Sequence, residues 1–252
     1  MKILIYILTF LISTSIFSQA FEDGEKLKFR LSYSNFLTAG FATMDVKKEI
    51  KNGKDAFHIT GKGKTTGMIS WFFKVKDKYE TYFFKDTNLP YYFKRKINEG
   101  GYTKDKEIIF DQKENNALVI DNKHKTKKNH ETSGEVQDLL SALYYMRNQD
   151  ISDFTIGKEI VLKIFMDEET IDMKLRFLGR EIINTKFGKI KAAKFRPIVQ
   201  AGRVFKEKES VTVWVSDDVN KIPLRIKASL SVGSLRADIH NYKGLVSDLV
   251  IE

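Results

Sequence analysis

The chain has no cysteine, three prolines and four histidines in 252 residues. Each scarcity removes a class of chemistry. Without a thiol there is no disulfide, no cysteine nucleophile and no thiolate metal site. A chain of this length buries enough surface to fold without disulfides. The histidines, His58, His124, His130 and His240, never stand at metal-ligand spacing with a third ligand nearby. No metal or other cofactor is therefore expected. His58 and His240 fall on the polar phase of their strands, so their rings are expected to face solvent.

Catalytic motifs are lacking as well. There is no Gly-x-Ser-x-Gly elbow. The run Gly61-Lys62-Gly63-Lys64-Thr65-Thr66-Gly67 resembles a phosphate loop, but His58 stands where a glycine is required. Such a loop also lies between a strand and a helix, whereas Met68–Val75 reads as strand, so the run is read as a Lys/Gly-rich hairpin turn. Asp217-Asp218 and Asp167-Glu168-Glu169 both lie between strands. Neighbouring strand residues point to opposite faces, so neither group converges on a substrate by itself. No catalytic residue is assigned, and the chain is not expected to be an enzyme.

Long apolar runs are absent except at the start. Met1-Lys2 precedes the apolar run Ile3 to Leu11, and Ser13-Thr14-Ser15 follows, leading to Ser18-Gln19-Ala20. A charge, a greasy stretch and then small polar residues is the order of a secretory signal peptide. A membrane-spanning helix needs about 20 apolar residues, and Ser13 interrupts this one early. Residues 1–20 are predicted to be the signal peptide, with cleavage after Ser18 or after Ala20. No cysteine follows to carry a lipid. The expected mature chain, 21–252, is one soluble β-rich domain without an integral membrane span, working in the periplasm or outer envelope of a Gram-negative bacterium.

The formal charge is +10, and Lys2 is the only charged residue before residue 21. A basic protein in an envelope meets lipopolysaccharide phosphates and phospholipid headgroups. Nucleic acid is not an expected partner of an exported chain. Many of the lysines need be no more than solvated surface.

From residue 21 onward the dominant pattern has a period of two. Leu27, Phe29, Leu31 and Tyr33 alternate with Lys26, Lys28, Arg30 and Ser32. Ile171, Met173, Leu175 and Phe177 do the same, as do Leu224, Ile226, Ala228, Leu230 and Val232. Strands with one dry and one wet face make antiparallel sheets. About a dozen such segments are predicted, Ile69–Val75 among them, joined by turns such as Lys51-Asn52-Gly53-Lys54. The expected fold class is all-β, a large curled antiparallel sheet, barrel-like or a sandwich. One amphipathic helix is predicted near residues 133–147. Its stripe is Val136, Leu139, Leu140, Leu143 and Met146, with a capping box from Thr132 and Glu135. The stripe should fill the hollow of the sheet. Asp111–His130 reads as one short strand and a long exposed connection.

Aromatic residues cluster at Trp71-Phe72-Phe73, Tyr82-Phe83-Phe84 and Tyr91-Tyr92-Phe93. Inward-facing rings serve the core or a ligand, and Trp71, Phe73, Phe83 and Phe93 are taken as the inward, ligand-binding set. Lys123, Lys125, Lys127 and Lys128 form a basic loop that is a candidate surface for an anionic partner.

Three stretches together resemble a known group of exported bacterial proteins. They are Gly24–Ala42, Asp138–Arg147, and Leu178–Gly188 continuing through Trp214–Asp218, Ile222-Pro223 and Val232-Gly233-Ser234. On these the chain is identified as a member of domain-of-unknown-function family 3108, in a Bacteroidetes-like form. The resemblance implies a β-rich envelope protein and supplies no catalytic residues. The expected function is non-enzymatic binding of an amphipathic or anionic envelope molecule, a lipid for example, inside the curled sheet. The alternatives are an interaction module docking on an envelope protein complex, and an envelope hydrolase with an unrecognised site.

Overall fold

The computed structural model describes residues 19–34, 36–199, 211–229 and 233–252. The signal-peptide segment, apart from Gln19 and Ala20, lies outside the described residues, as do Leu230 and Val232 of the last alternating run. The first half comprises β1 (Lys26–Tyr33), β2 (Leu37–Lys51), β3 (Lys54–Thr65), a one-turn helix α1 (Ile69–Phe72), β4 (Lys76–Phe84), β5 (Pro90–Glu99), β6 (Tyr102–Asp111), β7 (Asn116–Asp121) and β8 (Thr126–Glu131). Helix α2 (Leu139–Arg147) then precedes β9 (Glu159–Met166), β10 (Glu169–Thr185), β11 (Gly188–Val199), β12 (Val211–Ser216), β13 (Pro223–Ser229) and β14 (Ser234–Lys243).

All the strands join one antiparallel sheet in the order β8-β7-β6-β5-β4-β3-β2-β1-β14-β13-β12-β11-β10-β9. The chain runs to one edge, crosses through α2, and returns from the other edge until β14 pairs with β1. The sheet is curled but not closed by strand pairing. Its edges are drawn together by the segment before α2: Gln137 N–H donates to Lys163 O at 2.8 Å, and Phe165 N–H donates to Gln137 O at 2.8 Å. The β9–β10 turn adds ion pairs across the gap, Asp167 with Lys104 and Glu168 with Lys106, each at 2.8 Å. Bulges at Tyr82/Phe83 and at Phe177/Gly179 sharpen the curl. At Gly40 a Cβ would sit 2.0 Å from the Lys64 carbonyl oxygen, so β2 approaches β3 too closely for any side chain.

Helix α2 lies in the hollow, as its apolar stripe requires. Ala142 and Met146 pack with Leu162, Phe177 and Phe195, while Tyr144 packs with Phe21, Phe57 and Phe83. Leu140 reaches the cluster of Phe93, Phe110 and Phe165. Burying each large apolar side chain is worth ~1.5–3 kcal/mol, so the helix ties separate parts of the sheet into one interior. Asp138 caps its start, accepting from Leu140 N–H at 2.8 Å and Ser141 N–H at 3.0 Å. Ser141 Oγ accepts the Asp138 N–H in return. Burial pushes the Asp138 carboxyl up to about 6, against the pull of its Thr81 and Ser141 hydrogen bonds. At the other end, Arg147 and Glu25 form a pair with no solvent exposure, at 2.6 Å to each carboxylate oxygen.

Four expectations are corrected. The helix begins at Leu139, not near 133, because Gln137 is held in extended pairing with β9. Thr132 donates to Gly134 O and forms no capping box with Glu135; that role falls to Asp138 and Ser141. Asp111–His130 is largely the β7–β8 hairpin, and its lysines sit on and beside an edge strand. Ile69–Val75 is no strand: Gly67 adopts φ +59° and Phe73 N–H bonds Ile69 O, turning the chain through α1.

Candidate functional site

The strands β1 to β6 alternate Leu27, Ile59, Phe83 and Phe93 inward with lysines outward, so the outer face carries a dense array of cations. Register brings these lysines into rows. Lys28 lies opposite Thr43, and Thr43 opposite Lys62. Lys62 then faces Lys78, and Lys78 faces Lys96, on three adjacent strands. Opposed like charges in a sheet are destabilising, so this row costs stability. Partial relief comes from Glu80, 2.8 Å from Lys78, and from Asp105, 3.5 Å from Lys96. Among the described residues Lys62, Lys64 and Lys76 have no carboxylate within ion-pair distance.

These residues line a groove of ≈ 1140 Å³. Its walls carry eight lysines and two aspartates, with Phe41, Ile97 and the lysine stems as apolar surface. Lys28 Nζ stands 4.5 Å above the Phe41 ring. Lys104, at the far wall, has its pKa pulled down by burial and by the charges of Arg95 and Lys106.

One rank further along the same face the cations are neutralised. Lys94 sits opposite Glu107 and bonds it at 2.8 Å, and Tyr92 donates to the same carboxylate at 2.8 Å. The Lys94 and Tyr92 hydrogen bonds bring the Glu107 carboxyl down to about 2. For Glu80, burial works upward, but Lys78 and His58 outweigh it and hold the carboxyl below its ordinary value. His58 does not face open solvent as expected. Its ring stacks on Tyr82 at 4.0 Å, between Glu80 and Glu49 at 3.2 and 3.6 Å. Along these strands the groove rank thus holds unpaired lysines, Lys62, Lys64 and Lys76, beside a rank whose charges are paired.

The aromatic residues singled out in the sequence separate into two places. Phe83 and Phe93 are in the core, 0% and 3% exposed. Trp71 and Phe73 are 82% and 52% exposed and do not face inward, because α1 leaves the sheet and strand alternation no longer applies. The four rings do not form one pocket. Of the basic set, Lys123 lines the groove and donates to Thr103 O at 3.1 Å, whereas Lys125 is in the β7–β8 turn. Lys127 and Lys128 are exposed on edge strand β8, where lysine guards against edge-to-edge pairing. The sequence carboxylates are tied into the fold. Asp217 is paired with Arg180 at 3.0 Å, and Asp218 accepts from Ser216 Oγ at 2.7 Å. Lys62 stood only within the Gly61–Gly67 run, read as a hairpin turn, whereas Gly61–Thr65 is the end of strand β3; Lys78 and Lys96 were not singled out, and the opposition of the three is a matter of register.

A family profile described as "Protein of unknown function (DUF3108)" matches residues 28–240, from the first groove lysine into β14. The chain belongs to the DUF3108 family. No curated protein matches it. Among solved structures it is similar to a β-barrel-like protein of the DUF1849 family from Brucella abortus, with a TM-score of 0.52 and 8% identity, over 88% of this chain and 98% of that one. That likeness is one of fold. A candidate lipoprotein from Parabacteroides distasonis matches with a TM-score of 0.39 and 14% identity, over 90% of this chain and 99% of that one. The likeness to that β-barrel-like protein accords with the single curled antiparallel sheet of this DUF3108 chain. Among its described residues no helix is long and apolar enough to cross a membrane.

Proposed function

We propose that this DUF3108 protein is an exported, non-enzymatic binding protein of the bacterial envelope that holds an anionic amphipathic molecule in the lysine groove. The carrying observation is the row Lys62–Lys78–Lys96 on adjacent strands. A headgroup bearing phosphate or carboxylate relieves that repulsion through charge-assisted hydrogen bonds. The adjoining Phe41, Ile97 and lysine stems accept an apolar portion. The expected site in the hollow is replaced by this outer groove, because α2 and its packed rings occupy the hollow. The signal-like N-terminus supports the envelope address.

The test is calorimetric titration with dodecyl phosphate and with dodecyl maltoside, each kept below its micelle concentration. The phosphate is expected to bind and the maltoside to bind far more weakly. The variant Lys62→Gln/Lys78→Gln/Lys96→Gln should lose at least about tenfold in phosphate affinity while melting no lower than wild type, since like-charge pairs are removed. Equal binding of both amphiphiles, or unchanged affinity in the triple variant, contradicts the proposal.

A further inference from the structure

The groove opens at the end of the sheet where several connections meet. Ser34 N–H bonds Ser234 O at 2.8 Å, Thr66 N–H bonds Ala39 O at 3.0 Å, and Gly100 N–H bonds Lys74 O at 2.9 Å. This end is therefore a single laced surface. It carries a concentration of bare apolar side chains: Phe36 is 80% exposed, Met68 65%, Trp71 82% and Phe72 86%. No residue of α1 is buried. The tip is nevertheless held in place. Gly100 adopts φ +56°, and a Cβ there would come within 2.4 Å of the Phe73 ring, so the glycine lets Phe73 seat on the β5–β6 turn. Phe73 anchors the tip, while Trp71 and Phe72 are left projecting.

Lys64, Lys74 and Lys76 flank the tip. Among the described residues none of the three has a carboxylate within ion-pair distance. Nearby Asp77 accepts from Asn98 N–H at 3.0 Å. Rings and a methionine drawn from separate connections, ringed by cations, suit a plane rather than a peptide-sized cleft. Tryptophan at a water–hydrocarbon boundary with lysine over phosphate is the arrangement that an anionic lipid surface selects.

We infer that this end of the sheet docks on an anionic phospholipid leaflet, with Trp71 and Phe72 entering the headgroup–acyl boundary and Lys64, Lys74 and Lys76 facing the phosphates. Docking sets the mouth of the groove against the bilayer. This inference goes beyond the groove reading; Lys64 and Lys76 belong to both surfaces, but Trp71, Phe72 and Lys74 belong to this one alone, so the two can fail separately.

Trp71 and Trp214 are the only tryptophans, and Trp214 is 8% exposed, so a change in emission on docking reports Trp71. The full chain after export is mixed with vesicles of phosphatidylcholine containing one quarter phosphatidylglycerol, and with phosphatidylcholine vesicles alone. Sedimentation with the anionic vesicles and a blue-shifted emission are expected, both weakened by added salt. Trp71→Ala/Phe72→Ala should reduce partitioning at least about tenfold and leave dodecyl phosphate affinity unchanged. Both side chains are exposed, so the variant keeps its fold, which circular dichroism verifies. Wild-type protein that ignores anionic vesicles overturns the inference and leaves a protein partner for the tip. A double variant that sediments like wild type overturns it too. If vesicle binding persists while dodecyl phosphate binding is absent, docking stands and the groove reading falls.

Discussion

Replacing Arg147 by methionine should be among the most damaging single changes in the chain. Arg147 donates to both oxygens of Glu25 at 2.6 Å, to Ala20 O at 2.9 Å and to Asn220 O at 3.0 Å, with no exposure of either charged side chain. Its guanidinium carbon stands 5.3 Å from the Phe21 ring and 5.2 Å from the Tyr144 ring. Burial works to lower the Arg147 pKa, yet hydrogen bonding and charge from Glu25 raise it overall. Arg147→Met strands the Glu25 carboxylate and two carbonyl oxygens away from water. Removing one partner of such a pair costs ~3–5 kcal/mol. With a urea dependence of roughly 3 kcal/mol per molar for a chain of this size, the unfolding midpoint should fall by about 1–1.7 M. The double variant Arg147→Met/Glu25→Met should recover a large part of that loss, because the stranded charge is gone. Urea unfolding followed by circular dichroism measures all of these. A single-variant loss below about 1 kcal/mol, or a double variant worse than either single one, would refute the reasoning.

Two other expectations rest on close contacts, one at Arg147 and one between β2 and β3. Ala20 and Phe21 are each 1% exposed, and the Ala20 carbonyl serves Arg147. Export is therefore expected to cleave after Ser18, leaving Gln19 as the first residue in the intact mass; a chain starting at Phe21 would remove that carbonyl and contradicts this account. Gly40→Ala should cost more than about 2 kcal/mol in a thermal melt, since its Cβ would meet the Lys64 carbonyl oxygen; a neutral substitution would mean that β2 and β3 part easily there.

The fold was legible where physics is local. The alternation in β1, β10 and β13 reports one dry face, and the stripe of α2 reports a helix in a hollow. Legibility failed where a local signal competes with a distant partner. Thr132 and Glu135 have the spacing of a capping box, yet the sheet edge claims Gln137 first, and Asp138 becomes the cap. Trp71-Phe72-Phe73 has strand composition, but the turn at Gly67 takes it out of the sheet. Ala20 and Phe21 read as the end of a leader and the start of a tail, whereas Arg147, 126 residues beyond Phe21, draws them into the core. The candidate site was the least legible part. Lys62, Lys78 and Lys96 are ordinary surface lysines until strand register sets them side by side. A one-residue slip would have dispersed them.

The most direct test of the groove's role is native mass spectrometry of the protein isolated from envelope extract, wild type beside Lys62→Gln/Lys78→Gln/Lys96→Gln. Wild-type protein should carry an extra species of discrete mass that fragments as an anionic amphiphile, and the triple variant should be recovered folded without it. A wild-type chain at its bare polypeptide mass, or a triple variant that retains the same species, would contradict the account.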